Sequence, residues 1–242
     1  MSVVAESAKP WTVHLLGGFN VVGPRGRVEL PHSAARVVAY LAIQAHPLPR
    51  TAIAAAIWPD VDEGRSRANL RSTVSRIGVL APLVLATTTT LAMAQSVTVD
   101  VDDLQAYVAS TRQADRVGAG PPSGFDRELL PGWTEEWVDL ERERVRQLEL
   151  HLLDDIVTSS VHNGRHGDGV DAALRAIRLD PLRESSHAGL LRALLAGGNR
   201  AAAISHFRRV AATMRRELGL APSGDLTALI DEILPSRPAR RS

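Results

Sequence analysis

The stretch Glu63-Gly64-Arg65-Ser66-Arg67-Ala68-Asn69-Leu70-Arg71-Ser72-Thr73-Val74-Ser75-Arg76-Ile77 decides how the rest of the sequence is read. Wound as an α-helix, at about 100° per residue, it places Leu70, Val74 and Ile77 on one side. Arg65, Asn69, Ser72 and Arg76 fall together on the opposite side, flanked by the small residues Ala68 and Ser75. Arginine can give two parallel hydrogen bonds to guanine and asparagine can do so to adenine, while serine can bond a base or a phosphate. Arg67 and Arg71 lie further round the helix, where phosphate contact is expected. Taken alone, the pattern is also that of an arginine-rich solvated face. The neighbouring elements separate the two readings.

Two helices are expected before it. One runs from about Ala34 to Ala45, with Val37, Val38, Leu41 and Ala45 on one face, and stops before Pro47. The other opens near Thr51, read as its N-cap, and gathers Ile53, Ala56 and Ile57 before Trp58-Pro59 ends it. Gly78 is the expected stop of the third helix. Strand-like runs follow at Leu83–Ala86 and Leu91–Ala94 around a Thr87–Thr90 tip, then an alternating run Val97, Val99, Val101. Three more short strands precede the helices, at Trp11–Leu16, Phe19–Val22 and around Val28–Leu30. A recognition helix is expected to be the last of three, to follow a tight turn and to precede a hairpin. All three conditions hold, so an α+β winged helix is predicted over residues 1–102. Arg36 on the first helix and Arg50 and Thr51 at the start of the second would then flank the groove as phosphate anchors.

The remainder reads as helix. A connecting helix is expected from Asp103 to Asp115, followed by Gly118-Ala119-Gly120-Pro121-Pro122-Ser123-Gly124, so residues 103–127 form a connector. From residue 128 to 235 an all-α domain is predicted. Thr134 is placed to cap a long helix whose apolar stripe is Val138, Val145, Leu148, Leu152 and Ile156. Gly164-Arg165-His166 recurs as Gly198-Asn199-Arg200 at an offset of 34, and Val170 with Ile204 and Ala173 with Phe207 match at the same offset. That is the tetratricopeptide period.

Composition narrows the chemistry. The sequence has 242 residues, 45% hydrophobic and 23% charged, with 4% aromatic, so the cores must be aliphatic. Without cysteine there is no disulfide, thiolate nucleophile or cysteine zinc site. Residues 1–100 carry nine Lys and Arg against six Asp and Glu, a balance of +3, and the rest carry nineteen against twenty-one, a balance of −2. Gly64–Pro82 has four arginines and no acid, so one locally basic element is expected in a nearly neutral protein. The N-terminus lacks a secretory apolar core, and no apolar run is long enough to span a bilayer, which fits a cytoplasmic, nucleoid-associated protein with no membrane partner. His162 and His166 are four apart, but Asn163-Gly164 breaks any helix between them and no third ligand is near. No nucleophile elbow, Walker loop or dinucleotide fingerprint occurs, so neither an enzyme nor a cofactor is expected.

With these residues in hand, Trp11–Val101 resembles the winged-helix output domain of bacterial response regulators. In detail it resembles the Streptomyces antibiotic regulatory protein family, through Leu15-Leu16-Gly17-Gly18-Phe19, Ile57-Trp58-Pro59 and Ala68-Asn69-Leu70-Arg71-Ser72-Thr73-Val74-Ser75-Arg76. The second half is similar to the bacterial transcriptional activator domain that accompanies it, through Glu128-Leu129-Leu130-Pro131-Gly132-Trp133, Leu179-Asp180-Pro181-Leu182-Arg183-Glu184-Ser185-Ser186-His187 and Glu217-Leu218-Gly219-Leu220-Ala221-Pro222-Ser223. The resemblance implies an activator that binds direct repeats in double-stranded promoter DNA, beside a second protomer. It further implies recruitment of RNA polymerase holoenzyme through a sigma factor or alpha subunit, often for antibiotic biosynthesis genes. Asn69 and Arg76 would read bases, Arg65 bases or phosphates, and Arg67 and Arg71 phosphates. Two departures stand out: Gly78 replaces a commonly basic residue, and Ala81–Val99 carries no charge. The uncharged wing keeps open a second reading, a helical-repeat adaptor whose winged helix no longer binds DNA.

Overall fold

The computed structural model describes residues 11–114, 125 and 127–231. The chain divides into two compact units, Met1–Tyr107 with Pro121–Val145 and Val108–Gly120 with Arg146–Ser242. This differs from the boundaries at 102 and 128 expected from sequence; the Gly118–Gly124 stretch lies outside the described residues.

In the first unit, Trp11–His14 (β1) pairs antiparallel with Asn20–Gly23 (β2), which pairs with Gly26–Val28 (β3). Val97–Val99 (β7) lies parallel to β1 on its other side, giving the sheet order β3-β2-β1-β7. Val101 does not extend that strand, because helix Asp100–Ala114 (α4) has already begun. Helices His32–Gln44 (α1), Arg50–Ile57 (α2) and Glu63–Leu80 (α3) follow the first three strands. The short strand Leu48–Pro49 (β4) joins the hairpin of Val84–Ala86 (β5) and Thr90–Met93 (β6) in the order β4-β6-β5. The winged helix is therefore present, with Leu41, Ile53, Ile57, Leu70, Ile77, Leu83 and Leu91 packed into its core.

Three expectations about helix ends are corrected. Pro49, not Thr51, occupies the N-cap of α2, where a fixed backbone dihedral prepares the turn without a side-chain hydrogen bond. Gly78 does not stop α3: the helix runs to Leu80, and the Ala81 amide closes it on the Ile77 carbonyl at 2.8 Å. The long helix Glu136–His162 (α5) starts at Glu136, which puts Glu135 rather than Thr134 at its threshold; the Val138 amide bonds the Glu135 carbonyl.

The first unit is completed by residues far along the chain. Leu16 forms a bridge with Leu129, the Gly17 amide donates to the Glu128 carbonyl at 2.8 Å, and the Leu130 amide donates to the Leu15 carbonyl at 2.9 Å. Gly17 has φ of 81°, a left-handed conformation that favours glycine. The Asp100 carboxylate accepts the Leu15 and Leu16 amides from the other side, at 2.9–3.0 Å. Burial pushes the Asp100 carboxyl above its ordinary range against the pull of those amides. Arg142 reaches back from α5 and donates to the carbonyls of Leu129, Leu130 and Trp133.

The second unit is helical. His166–Leu179 (α6), Glu184–Ala196 (α7), Arg200–Leu218 (α8) and Gly224–Asp231 (α9) succeed the end of α5. The 34-residue repeat is geometric as well as sequential. Gly164 and Gly198 have φ of 71° and 78°, and the Arg165 and Asn199 amides reach back to the Ser160 and Leu194 carbonyls, both at 2.8 Å. Ala188, Leu191, Ala203, Val210, Met214, Leu226 and Ile230 form one cluster of its core, and Leu150, Leu153, Ala173 and Ala176 are buried on α5 and α6.

A polar relay lies inside that core. The Pro181 carbonyl accepts from His187 Nε2, His187 Nδ1 pairs with His206 Nε2 at 3.0 Å, and Arg209 donates to His206 Nδ1. With both imidazoles neutral every atom of this chain has a complementary partner. Burial first, then the charges of His187 and Arg209, lower the His206 pKa from 6.5 to about 4. The unfolded chain takes up a proton as pH falls through 6.5, whereas the folded one resists until about 4. This contribution to stability is complete above pH 6.5 and is lost progressively between 6.5 and 4. Thermal melts across that window should show the helical unit's midpoint falling, and His206→Gln should flatten the dependence; an equally steep dependence in the variant contradicts the assignment.

Candidate nucleic-acid interface

The third helix begins under control of its own N-terminal residues. Asp62 caps α3, its Oδ1 accepting the Arg65 amide at 3.0 Å, and Glu63 adds a second carboxylate at the positive end of the helix. Ser66, Leu70, Thr73 and Ile77 face the core. The expected apolar side therefore shifts: Val74 is only half-buried, and two hydroxyl residues take places on the inner face, Ser66 by donating to the Glu63 carbonyl at 3.0 Å.

This rotation leaves Arg65, Arg67, Asn69, Arg71, Ser72, Ser75 and Arg76 all exposed, in two rows. Arg65, Asn69, Ser72 and Arg76, at i, i+4, i+7 and i+11, make one row, and Arg67, Arg71 and Ser75, at i, i+4 and i+8, make the other. Ala68 lies between them. Arg65 pairs with Asp62 at 3.4 Å and Arg67 with Glu63 at 3.2 Å, but with 83% and 53% of the side chains exposed these are surface pairs that hold little energy. Both guanidiniums are thus available to a stronger anion.

The second row faces the hairpin. Between them lies an open cleft of about 720 Å³, lined by Arg50, Arg67 and Arg71, by the hydroxyls of Thr51, Ser75, Thr88 and Thr89, and floored by Leu70 and Val74. Arg50 builds its outer wall: its amide donates to the Thr89 carbonyl at 2.9 Å and its Nε to the Thr87 carbonyl at 3.0 Å. The Thr87 hydroxyl in turn accepts the Thr90 amide at 2.9 Å, so the threonine tip is a self-bonded turn pinned to the start of α2. The wing residues Thr88 and Thr89 were read in the sequence only as a hairpin tip. Their place beside Arg67 and Arg71 depends on the β4–β6 pairing of Pro49 with Thr90, which leaves no local signal.

Arg36 is placed apart from these residues. Its Nε lies 2.8 Å from Glu135 Oε1, with the two side chains only 19% and 14% exposed, so its charge is met inside the first unit. That pairing competes with the phosphate contact expected of it. Its carboxylate partner stands just before α5, beyond the reach of any reading of α1 alone.

A winged helix with an arginine-rich third helix is followed in sequence by a tetratricopeptide-like helical array. Residues 98–234 match the bacterial transcriptional activator domain family, more than half of the chain, and the chain belongs to that family. The structure of Mycobacterium tuberculosis EmbR in complex with low affinity phosphopeptide is similar, with a TM-score of 0.72 over 95% of this chain at 20% identity. The match takes in 66% of that chain, so this one spans just under two thirds of its length; the likeness is one of fold. No curated protein matches. Family and fold agree: the chain carries the bacterial transcriptional activator domain on a fold like that of EmbR. Among the described residues no helix is long and apolar enough to cross a membrane.

The wing's attachment is open to test. Removing the Arg50 guanidinium frees the Thr87 carbonyl, at a cost of about 1 kcal/mol. In Arg50→Ala, hydrogen exchange at the Thr87 and Thr90 amides should quicken about fivefold. Unchanged exchange means that backbone pairing alone holds the tip.

Proposed function

We propose that the chain is a sequence-specific DNA-binding transcription activator, with α3 as the helix that enters the major groove. The two exposed rows on α3 carry this reading. Asn69 and Arg76 suit base edges, Arg65 bases or phosphates, and Ser72 either. Arg67, Arg71 and Ser75, with Arg50, Thr51, Thr88 and Thr89 across the cleft, suit a phosphodiester backbone, which the wing meets with hydroxyls instead of charge. The family supports the second half of the reading: protomers bound side by side at direct repeats of a promoter recruit RNA polymerase holoenzyme through its sigma factor or alpha subunit. Genes for antibiotic biosynthesis are the targets that the resemblance favours. The adaptor reading rests on one observation, the absence of charge from Ala81 to Val99.

Selection of bound sequences from random duplex DNA, followed by gel shifts, separates the two. Asn69→Ala and Arg76→Ala should each weaken the selected site by about 1–3 kcal/mol without altering the melting temperature. With roughly four to six phosphate contacts, log affinity should fall against log salt with a slope of about −4 to −5 per protomer. Failure to select any site supports the adaptor; a slope near −10 places contacts outside α3 and the cleft.

A further inference from the structure

The cleft between α3 and the wing is deeper and more apolar than phosphate contact requires. Its cations come from two elements, Arg50 from the start of α2 and Arg67 and Arg71 from successive turns of α3, and no carboxylate lines it. Arg71 has no carboxylate partner among the described residues, and Arg67 has only the weak surface pair with Glu63. The hydroxyls of Thr51, Ser75, Thr88 and Thr89 likewise make no hydrogen bond among the described residues. Positive charge and free donors thus surround one space, with no negative group in its walls to satisfy them.

Beneath these polar groups the floor is apolar. Val74 is half-buried beside Leu70, and Pro49 with the aliphatic stems of Arg67 and Arg71 continues that surface outward. A phosphodiester backbone engages arginine heads and hydroxyls at the rim, and brings no apolar group down to Val74. At about 720 Å³ the cleft has the size of a small-molecule site, for which about 300–1,000 Å³ is usual. Its walls are fixed before any ligand arrives. Pro49 pairs with Thr90, Arg50 Nε holds the Thr87 carbonyl, and the Thr87 hydroxyl closes the tip on the Thr90 amide. A preformed wall leaves little to be ordered on binding.

We infer that this cleft also binds a small organic anion, a carboxylate carried on a flat apolar body, which takes the place of the DNA backbone. The carboxylate receives paired N–H groups from the Arg71 guanidinium, in the fork geometry that the two groups share, and Arg67 adds a second positive charge. The apolar body lies on Val74, with Thr88 and Thr89 along its edge. Apolar contact selects such a molecule over inorganic phosphate, and the arginines select it over a neutral hydrocarbon of the same shape. Ligand and DNA backbone exclude one another, because both need Arg67 and Arg71. The binding site stands on the cleft alone; the release of DNA by the ligand rests on the function proposed above.

Three probes decide it in nitrogen-15 NMR titrations of the full chain: 2-naphthoate, its neutral analogue 2-naphthalenemethanol, and inorganic phosphate. Naphthoate should shift the amides of Arg71, Val74, Ser75, Thr88 and Thr89 saturably, and the other two probes should each bind at least about tenfold more weakly. Arg71→Gln should weaken naphthoate about tenfold and Val74→Thr about threefold, whereas Asn69→Ala, outside the cleft, should leave its binding unchanged. Absent shifts, shifts scattered beyond the cleft, or equal binding of phosphate or of the neutral analogue overturn the inference. On the selected DNA site, naphthoate at about ten times its own dissociation constant should weaken DNA binding about elevenfold. Naphthoate that binds while DNA affinity stays unchanged overturns the exclusion. A chain that binds no DNA fails the proposed function, and the titrations still decide the cleft.

Discussion

The pairing of Leu15, Leu16 and Gly17 with Glu128, Leu129 and Leu130 is the constraint on which the first unit depends. Two segments more than a hundred positions apart in sequence exchange backbone hydrogen bonds there, and each is stiffened from its far side. Asp100 collects the Leu15 and Leu16 amides; Arg142 collects three carbonyls of the opposing loop. That loop passes through Leu130 at φ of 46°, a conformation that a residue with a side chain seldom adopts, and through Gly132 at 80°, where glycine is at ease. Arg142 stabilises the loop by donating to the Leu129 and Trp133 carbonyls and by adding a second donor at the Leu130 carbonyl, which also accepts the Trp133 amide.

From this pairing the packing extends towards the third helix. The loop delivers Trp133 and Trp137 onto the outside of the winged helix, Trp133 within 5.8 Å of Phe19 and 5.7 Å of His32, and Trp137 edge-on to Tyr40 at 5.2 Å. His32 and Tyr40 belong to α1, which Glu135 also holds through Arg36. On its other face α1 buries Val37, Val38 and Leu41 in the core that receives Leu70 and Ile77 of α3. The exposed rows of α3 thus stand on a core whose outer wall is built from residues 128–145. The wing is held separately, by Arg50 and the β4–β6 pairing.

Much of this was legible because the signals were local. The three helices, the hairpin and the outward row of Arg65, Asn69, Ser72 and Arg76 follow from periodicity, and the 34-residue repeat survives as matched dihedrals at Gly164 and Gly198. What was not legible depends on partners distant in sequence. Gly78 stays helical because burial of Ile77 and its bond to Ala81 outweigh a glycine propensity cost of about 1 kcal/mol. Arg36 has the look of a free surface cation until Glu135 is placed beside it. Leu15-Leu16-Gly17-Gly18 and Glu128-Leu129-Leu130-Pro131-Gly132-Trp133 are both visible as motifs, yet neither sequence states that it pairs with the other.

Comparing the urea unfolding of residues 1–107 with that of residues 1–145 tests the dependence most directly. Loss of the second strand of the pairing, the Arg142 bonds and both tryptophans strips the outer wall from α1. The shorter fragment should therefore unfold without a cooperative transition, or with a midpoint far below that of the longer one, whose transition should be sharp. Equal midpoints and slopes for the two fragments would contradict the account, because the winged helix would then be complete without residues 128–145.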